Sequence, residues 1–193
     1  LKSLPLITPL QLPGTYSSYH LYPICIKGKE MKKALIVFGG WPGHEPEMCS
    51  KIISGWLEKD GYEVRVEYQT SAFAEDYVLE MDLIIPIITM AFHFSPTGDI
   101  KRNEVNNLVK AVMNGAGLAG HHGGMCDAFR QSIDWQFLIG GQWVSHPNGI
   151  TDYRVNIKNT NDPITDGIKD FDYHSEQYYM HVDPLNEVLA TSK

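Results

Sequence analysis

The chain has 193 residues, 43% hydrophobic and 20% charged, a balance that suits one globular domain able to bury most of its apolar surface. A net charge of −7 without any Lys/Arg cluster argues against nucleic acid as a partner, and no stretch approaches the ~18 consecutive apolar residues of a membrane helix, so no membrane partner is expected. Cys25, Cys49 and Cys126 lie far apart with no CxxC pair, which excludes a thiolate zinc site and leads us to expect a reducing, cytoplasmic setting.

Pro5, Pro9, Pro13 and Pro23 rule out a helix in the first 30 residues, and the texture changes at Met31. Residues 33–38 form a short buried-strand run ending in Gly39-Gly40, and 47–60 predict a helix closed by Gly61. A strand over 62–68, with Val64 and Val66 alternating with charged residues, suits a half-exposed or edge position. The run 82–88 is more continuously apolar and belongs at the centre. Residues 101–113 have amphipathic spacing, with Val105, Leu108, Val109 and Val112 on one face and Asn114-Gly115 as the stop; 117–120 then form a short strand. This alternation predicts an α/β fold with a doubly wound, mostly parallel sheet flanked by helices, its ligands bound beyond the carboxyl ends of the strands. After residue 140 we expect strands at 153–157 and 187–190, separated by polar loops.

Gly120-His121-His122-Gly123-Gly124 falls between the strand at 117–120 and a helix predicted over 125–130, an arrangement resembling a nucleophile elbow with His122 at its centre. Flanking glycines let strand and helix backbones approach closely and hold the central side chain outward. Thioester chemistry would require Cys at the centre, so glutamine amidotransferase activity is not expected; Cys126 is read as a small packing residue.

Four separated segments carry a family resemblance: Gly39-Gly40-Trp41-x-Gly43-His44, the elbow, Gly140-Gly141-Gln142-Trp143-x-x-His146-Pro147, and His174-Ser175-Glu176-Gln177-Tyr178-Tyr179. Together they resemble the ThuA-like, or trehalose utilisation, family over residues 31–193. The resemblance implies a class I glutamine amidotransferase-like, flavodoxin-like fold and a small-molecule carbohydrate as partner, a disaccharide or a keto-sugar oxidised on the ring. The family domain usually continues beyond the strand at 187–190, so truncation at the C-terminus is expected. The exposed sheet edge that this leaves is able to pair with a second copy as a homo-oligomer. Residues 1–30, above all 17–24, resemble instead a piece of a pyridoxal-phosphate sugar aminotransferase, a foreign segment with no catalytic role.

Loops after parallel strands converge, so His44, His122, His146 and Glu176 are expected in one pocket, with Gly40, Trp41, His121, Gln177 and Tyr178 as substrate-binding residues. Imidazoles with one carboxylate support two chemistries. One is general acid/base catalysis next to a sugar carbonyl. The other is a divalent metal, zinc or manganese, held by three of His44, His122, His146 and Glu176. A non-catalytic sugar-binding or regulatory module remains the alternative. Trp41 and Tyr178 suit sugar stacking or packing equally, His93 is read as a core residue, a Glu176–His181 relay is weighed against a structural His181, and 162–167 as a turn.

Overall fold

The structure is a computed structural model that describes residues 31–96 and 98–193. The expectations for residues 1–30 lie outside the described residues.

Four strands build the first sheet: β1 (Lys33–Gly40), β2 (Glu63–Tyr68), β3 (Leu83–Thr89) and β4 (Gly117–Leu118), all parallel, in the order β2-β1-β3-β4. The apolar runs take the two central places. Ala34, Leu35, Ile36 and Val37 of β1 have no accessible surface, whereas β2 at the edge keeps Val66 41% exposed. Pro86 sits inside central β3 without breaking it. Ile84 accepts a bond from the Ala119 amide on the β4 side, and β4 pairs only with Leu83 and Ile84. Two residues further along, Pro86 turns its missing N–H to a side where the ladder has already ended.

Alternating side chains of the sheet enter two separate cores. Leu35, Val37, Ile84 and Ile88 pack with Val105, Leu108 and Ala111 of α3 (Arg102–Met113), while Ile36, Ile85 and Ile87 pack with Cys49, Ile53 and Leu57 of α1 (Pro46–Lys59). Helices therefore cover both faces, as a doubly wound sheet requires. The chain leaves β1 for β2 on one side and crosses to β3 on the other, so the switch point of the sheet lies at the carboxyl ends of β1 and β3.

Several elements depart from the expectations. After a short α2 (Ala91–Phe94), the helix expected at 125–130 is only α4 (Gly123–Cys126). The carbonyls of Asp127 and Ala128 accept from the amides of Met90 and Ala91 instead of continuing a helix. A new helix, α5 (Ile133–Ile139), then starts at Ser132, whose hydroxyl accepts from the Trp135 amide. The polar stretch beyond residue 140 contains more strand than expected. β5 (Gly141–Ser145) pairs antiparallel with β8 (Tyr179–Val182), and β6 (Ile150–Ile157) lies between β7 (Phe171–Glu176) and β9 (Ala190–Ser192). The expected strand at 187–190 is thus displaced, since the Glu187 carboxylate accepts from Asn159 in a loop and the edge of β6 takes 190–192. The turn at 162–167 is present, with Thr165 buried beneath it. No helix among the described residues is long and apolar enough to cross a membrane.

Candidate functional site

The site starts where β1 ends. Gly40 has φ +76°, and a Cβ there would stand 2.2 Å from the Thr89 carbonyl oxygen, so only glycine lets the chain pass this close to β3. The Trp41 amide then donates to that same oxygen at 2.9 Å, and a tight turn, Pro42–His44, brings His44 back over the strand ends. His44 Nδ1 shares a 2.9 Å hydrogen bond with Thr89 Oγ1, and the Trp41 ring packs edge-on against the imidazole at 4.7 Å.

The elbow arrives from the other side of the switch point. His122 holds φ 51° and ψ −139°, a conformation that non-glycine residues rarely adopt and that turns its side chain outward. Gly123 makes the turn fit: a Cβ would come within 2.7 Å of Thr89 Cγ2 and 3.1 Å of His44 Cε1. The outcome is two imidazoles, His44 and His122, packed edge to face at 4.8 Å.

The second layer of strands closes the cluster. Glu176 at the end of β7 reaches between two histidines, with Oε2 3.4 Å from His122 Nε2 and Oε1 3.6 Å from His146 Nε2. Tyr178 Oη lies 3.1 Å from His122 Nδ1, and its ring covers both His122 and His146. Trp143 stands beside His146 and Tyr178 and is covered in turn by the Arg130 guanidinium, 4.1 Å from the ring centre. Two hydrogen bonds from Arg130 to the buried Asp127 carboxylate fix that guanidinium. Among the described residues, Trp143 Nε1 and His146 Nδ1 are buried without a protein hydrogen-bond partner.

Burial, the largest effect, lowers the His44 pKa, partly offset by Glu176. Burial also lowers that of His122, followed by the neighbouring His44. Both imidazoles therefore favour the neutral form near pH 7, with a lone pair to offer. Burial, then the charges of Glu176 and Asp127 and a hydrogen bond to Glu176, pushes the Tyr178 phenol up, so it stays a proton donor. Cys126 is likewise pushed up by burial, which makes a thiolate there unfavourable.

The structure thus brings His44, His122, His146, Glu176, Trp41 and Tyr178 together, with Gly40 supplying the backbone crossing beneath them. His121 is exposed and lines the same open cleft, of about 270 Å³, with His44, His122, Tyr173 and Ser175. Gln177 does not face the cluster; its amide donates to Ser192 Oγ at 3.1 Å. His93 is exposed on α2 rather than in the core. His181 sits in β8 opposite Gln142, and Glu176 pairs with His122 and His146 instead. A second hollow, bordered by Ile133, Phe137, His181 and Val182, has no comparable cluster of convergent imidazoles. Thr89, Asp127 and Arg130 escaped the sequence reading. Thr89 could have been found as the last residue of the central strand, at the edge where ligands bind, and the other two as an i,i+3 charge pair.

The model of the ThuA family, described as trehalose utilisation, matches residues 33–193. Among solved structures, a ThuA-like protein from Bacteroides uniformis superimposes with a TM-score of 0.66 at 18% identity, covering 93% of this chain and 71% of that one. A ThuA-like protein from Parabacteroides merdae gives 0.61 at 16% identity, with 84% and 68% covered. At these identities the likeness speaks for the fold. No curated protein matches the sequence significantly. With a family match over nearly the whole described region and the same fold in both neighbours, the chain belongs to the ThuA family.

Proposed function

We propose that this domain processes a small carbohydrate, a disaccharide or its ring-oxidised keto form, by proton transfer from the sugar to an imidazole that a carboxylate supports at the elbow. The observation that carries the proposal is Glu176 held between His122 and His146 at the carboxyl edge of the sheet. In a keto-sugar the carbon beside the carbonyl loses a proton readily. Neutral His122 takes that proton, Glu176 stabilises the imidazolium that forms, and the Tyr178 hydroxyl donates a hydrogen bond within the same network. Trp41 and Tyr178 pack on His44 and His122 and hold the imidazoles that border the cleft, which Tyr173 lines with its aromatic ring. The cleft of about 270 Å³ is at the small end of ligand sites, which suits one ring with the rest of a disaccharide outside. The family's trehalose link supports the substrate class. The free thiols of Cys49 and Cys126 support a cytoplasmic location.

Proton exchange tests this directly. A ring-oxidised disaccharide incubated with the chain in D₂O is followed by NMR for loss of the proton next to its carbonyl. We expect Glu176→Gln and His122→Gln each to slow exchange by about 10²–10⁴-fold. Wild-type rates in both variants would end the proposal. A second reading, a sugar-binding module without turnover, draws support from the exposure of the rings, 34% for His122 and 35% for His146. Saturable sugar binding with no exchange would favour it.

A further inference from the structure

We propose that His44, His122 and Glu176 form a binding site for one divalent transition-metal ion of the zinc or manganese class, with His146 as an adjoining donor. The proposal concerns the same cluster as the sugar-processing reading but stands on its own geometry: an ion on His122 Nε2 takes the lone pair that proton abstraction by His122 would use, so the two are alternatives at that nitrogen.

One donor atom from each of the three residues lies within 4.8 Å of the others. The carboxylate spacings are the informative ones. At 3.4 and 3.6 Å, Glu176 is too far from His122 and His146 for ordinary hydrogen bonds, which end at about 3.2 Å for N–H···O. Two ligands on a tetrahedral ion with bonds of about 2.0–2.1 Å stand roughly 3.3–3.4 Å apart, which is the spacing Glu176 keeps from His122. The third donor, on His44, lies within 4.8 Å of the other two.

The surroundings of the ligands point the same way. Metal-binding histidines usually commit their second nitrogen to a fixed partner, which orients the ring and frees the first. Here His44 Nδ1 is taken by Thr89 Oγ1 and His122 Nδ1 by Tyr178 Oη. Tyr178 can send its own proton to Glu176, so its oxygen accepts the His122 Nδ1–H and leaves the Nε2 lone pair available. Both rings therefore present Nε2, and the strained elbow keeps one of them in place. Two nitrogens and one oxygen favour a borderline ion such as zinc over calcium or magnesium, which prefer all-oxygen sites, with manganese, a harder ion, as the second to be tested. Three protein donors leave a position for a substrate oxygen beside the cleft.

The test is titration of the whole chain, stripped with a chelator, using zinc chloride and manganese chloride in a calorimeter, with cobalt(II) absorbance reporting the ligand geometry. We expect saturable binding of about one ion, weakened at least tenfold in His44→Ala and in Glu176→Gln, the latter preserving side-chain shape so that folding is spared. Thr89→Val and Tyr178→Phe, which remove the partners of the second nitrogens of His44 and His122, should weaken binding by about 10–100-fold. His174→Ala, on an exposed histidine paired with Asp152, should change nothing. Absence of saturable binding for both metals, or binding that survives His44→Ala and Glu176→Gln, overturns the metal site. Metal binding without sugar proton exchange leaves the site standing and refutes only the sugar reaction.

Discussion

Two helical glycines should respond to alanine in opposite directions. Gly55 lies inside α1, and a Cβ added there meets nothing within 4 Å. Gly55→Ala should therefore stabilise the fold by about 0.5–1 kcal/mol, the usual advantage of alanine over glycine within a helix. Gly123 is the first residue of the short α4, where helix propensity gains little. Its added methyl would press at 2.7 and 2.9 Å on Thr89, which is 4% exposed and tied to His44. Overpacking of this kind destabilises by about 1–3 kcal/mol. At roughly 2–4 °C per kcal/mol for a domain of this size, the thermal midpoint should rise by about 1–4 °C in Gly55→Ala and fall by about 2–12 °C in Gly123→Ala. Thermal unfolding followed by circular dichroism reads both shifts. Movement of the two midpoints in the same direction would refute the account of how the elbow rests on β3.

The elbow residue itself offers a trade of stability against function. His122→Gly removes a strained conformation worth about 1–3 kcal/mol but loosens the unfolded chain by about 0.5–1 kcal/mol, so the midpoint should hold or rise while sugar exchange is lost; a marked fall in the midpoint would show the strain to be absent. For the Asp127–Arg130 pair the losses should be unequal. Arg130→Met leaves a 4% exposed carboxylate without its partner and should destabilise by about 3 kcal/mol in urea unfolding. Asp127→Asn frees a guanidinium that reaches solvent and should cost less; the reverse order would contradict the burial argument. Because the Cys126 pKa is raised, less of it is thiolate at any given pH. Its alkylation, read by peptide mass mapping, should lag behind a small free thiol at pH 8 and accelerate only above the usual thiol range, and reaction at the free-thiol rate at pH 7 would count against it.

The parallel sheet was legible because its signals are local. Continuous apolar runs at 33–38 and 82–88 need burial on both sides, and the charged alternation of 62–68 suits a half-exposed or edge strand; the first two took the centre and the third the edge. The glycines at 120, 123 and 124 likewise announced a tight strand-to-helix turn, and His122 does occupy a strained elbow. Beyond residue 140 the signals weaken. The segment 171–176 is largely polar or aromatic and becomes a strand through pairing with β6, a partner that no local pattern identifies.

The same division runs through the site. Which residue types could act together, namely histidines and a carboxylate, was legible in the sequence through the segments that resemble the family, and hydrophobic patterning placed His44 and the elbow after strands of the parallel sheet. Which of them meet was decided only in three dimensions. In an extended segment neighbouring side chains face opposite ways, so Glu176 and Tyr178 enter the cluster while Gln177 bonds to Ser192. Glu176 could have met His181 by proximity in sequence, yet the pairing of β8 with β5 carries His181 elsewhere, and the register of β7 sets the carboxylate between His122 and His146. Side-chain facing depends on register, and register is a property of two strands together.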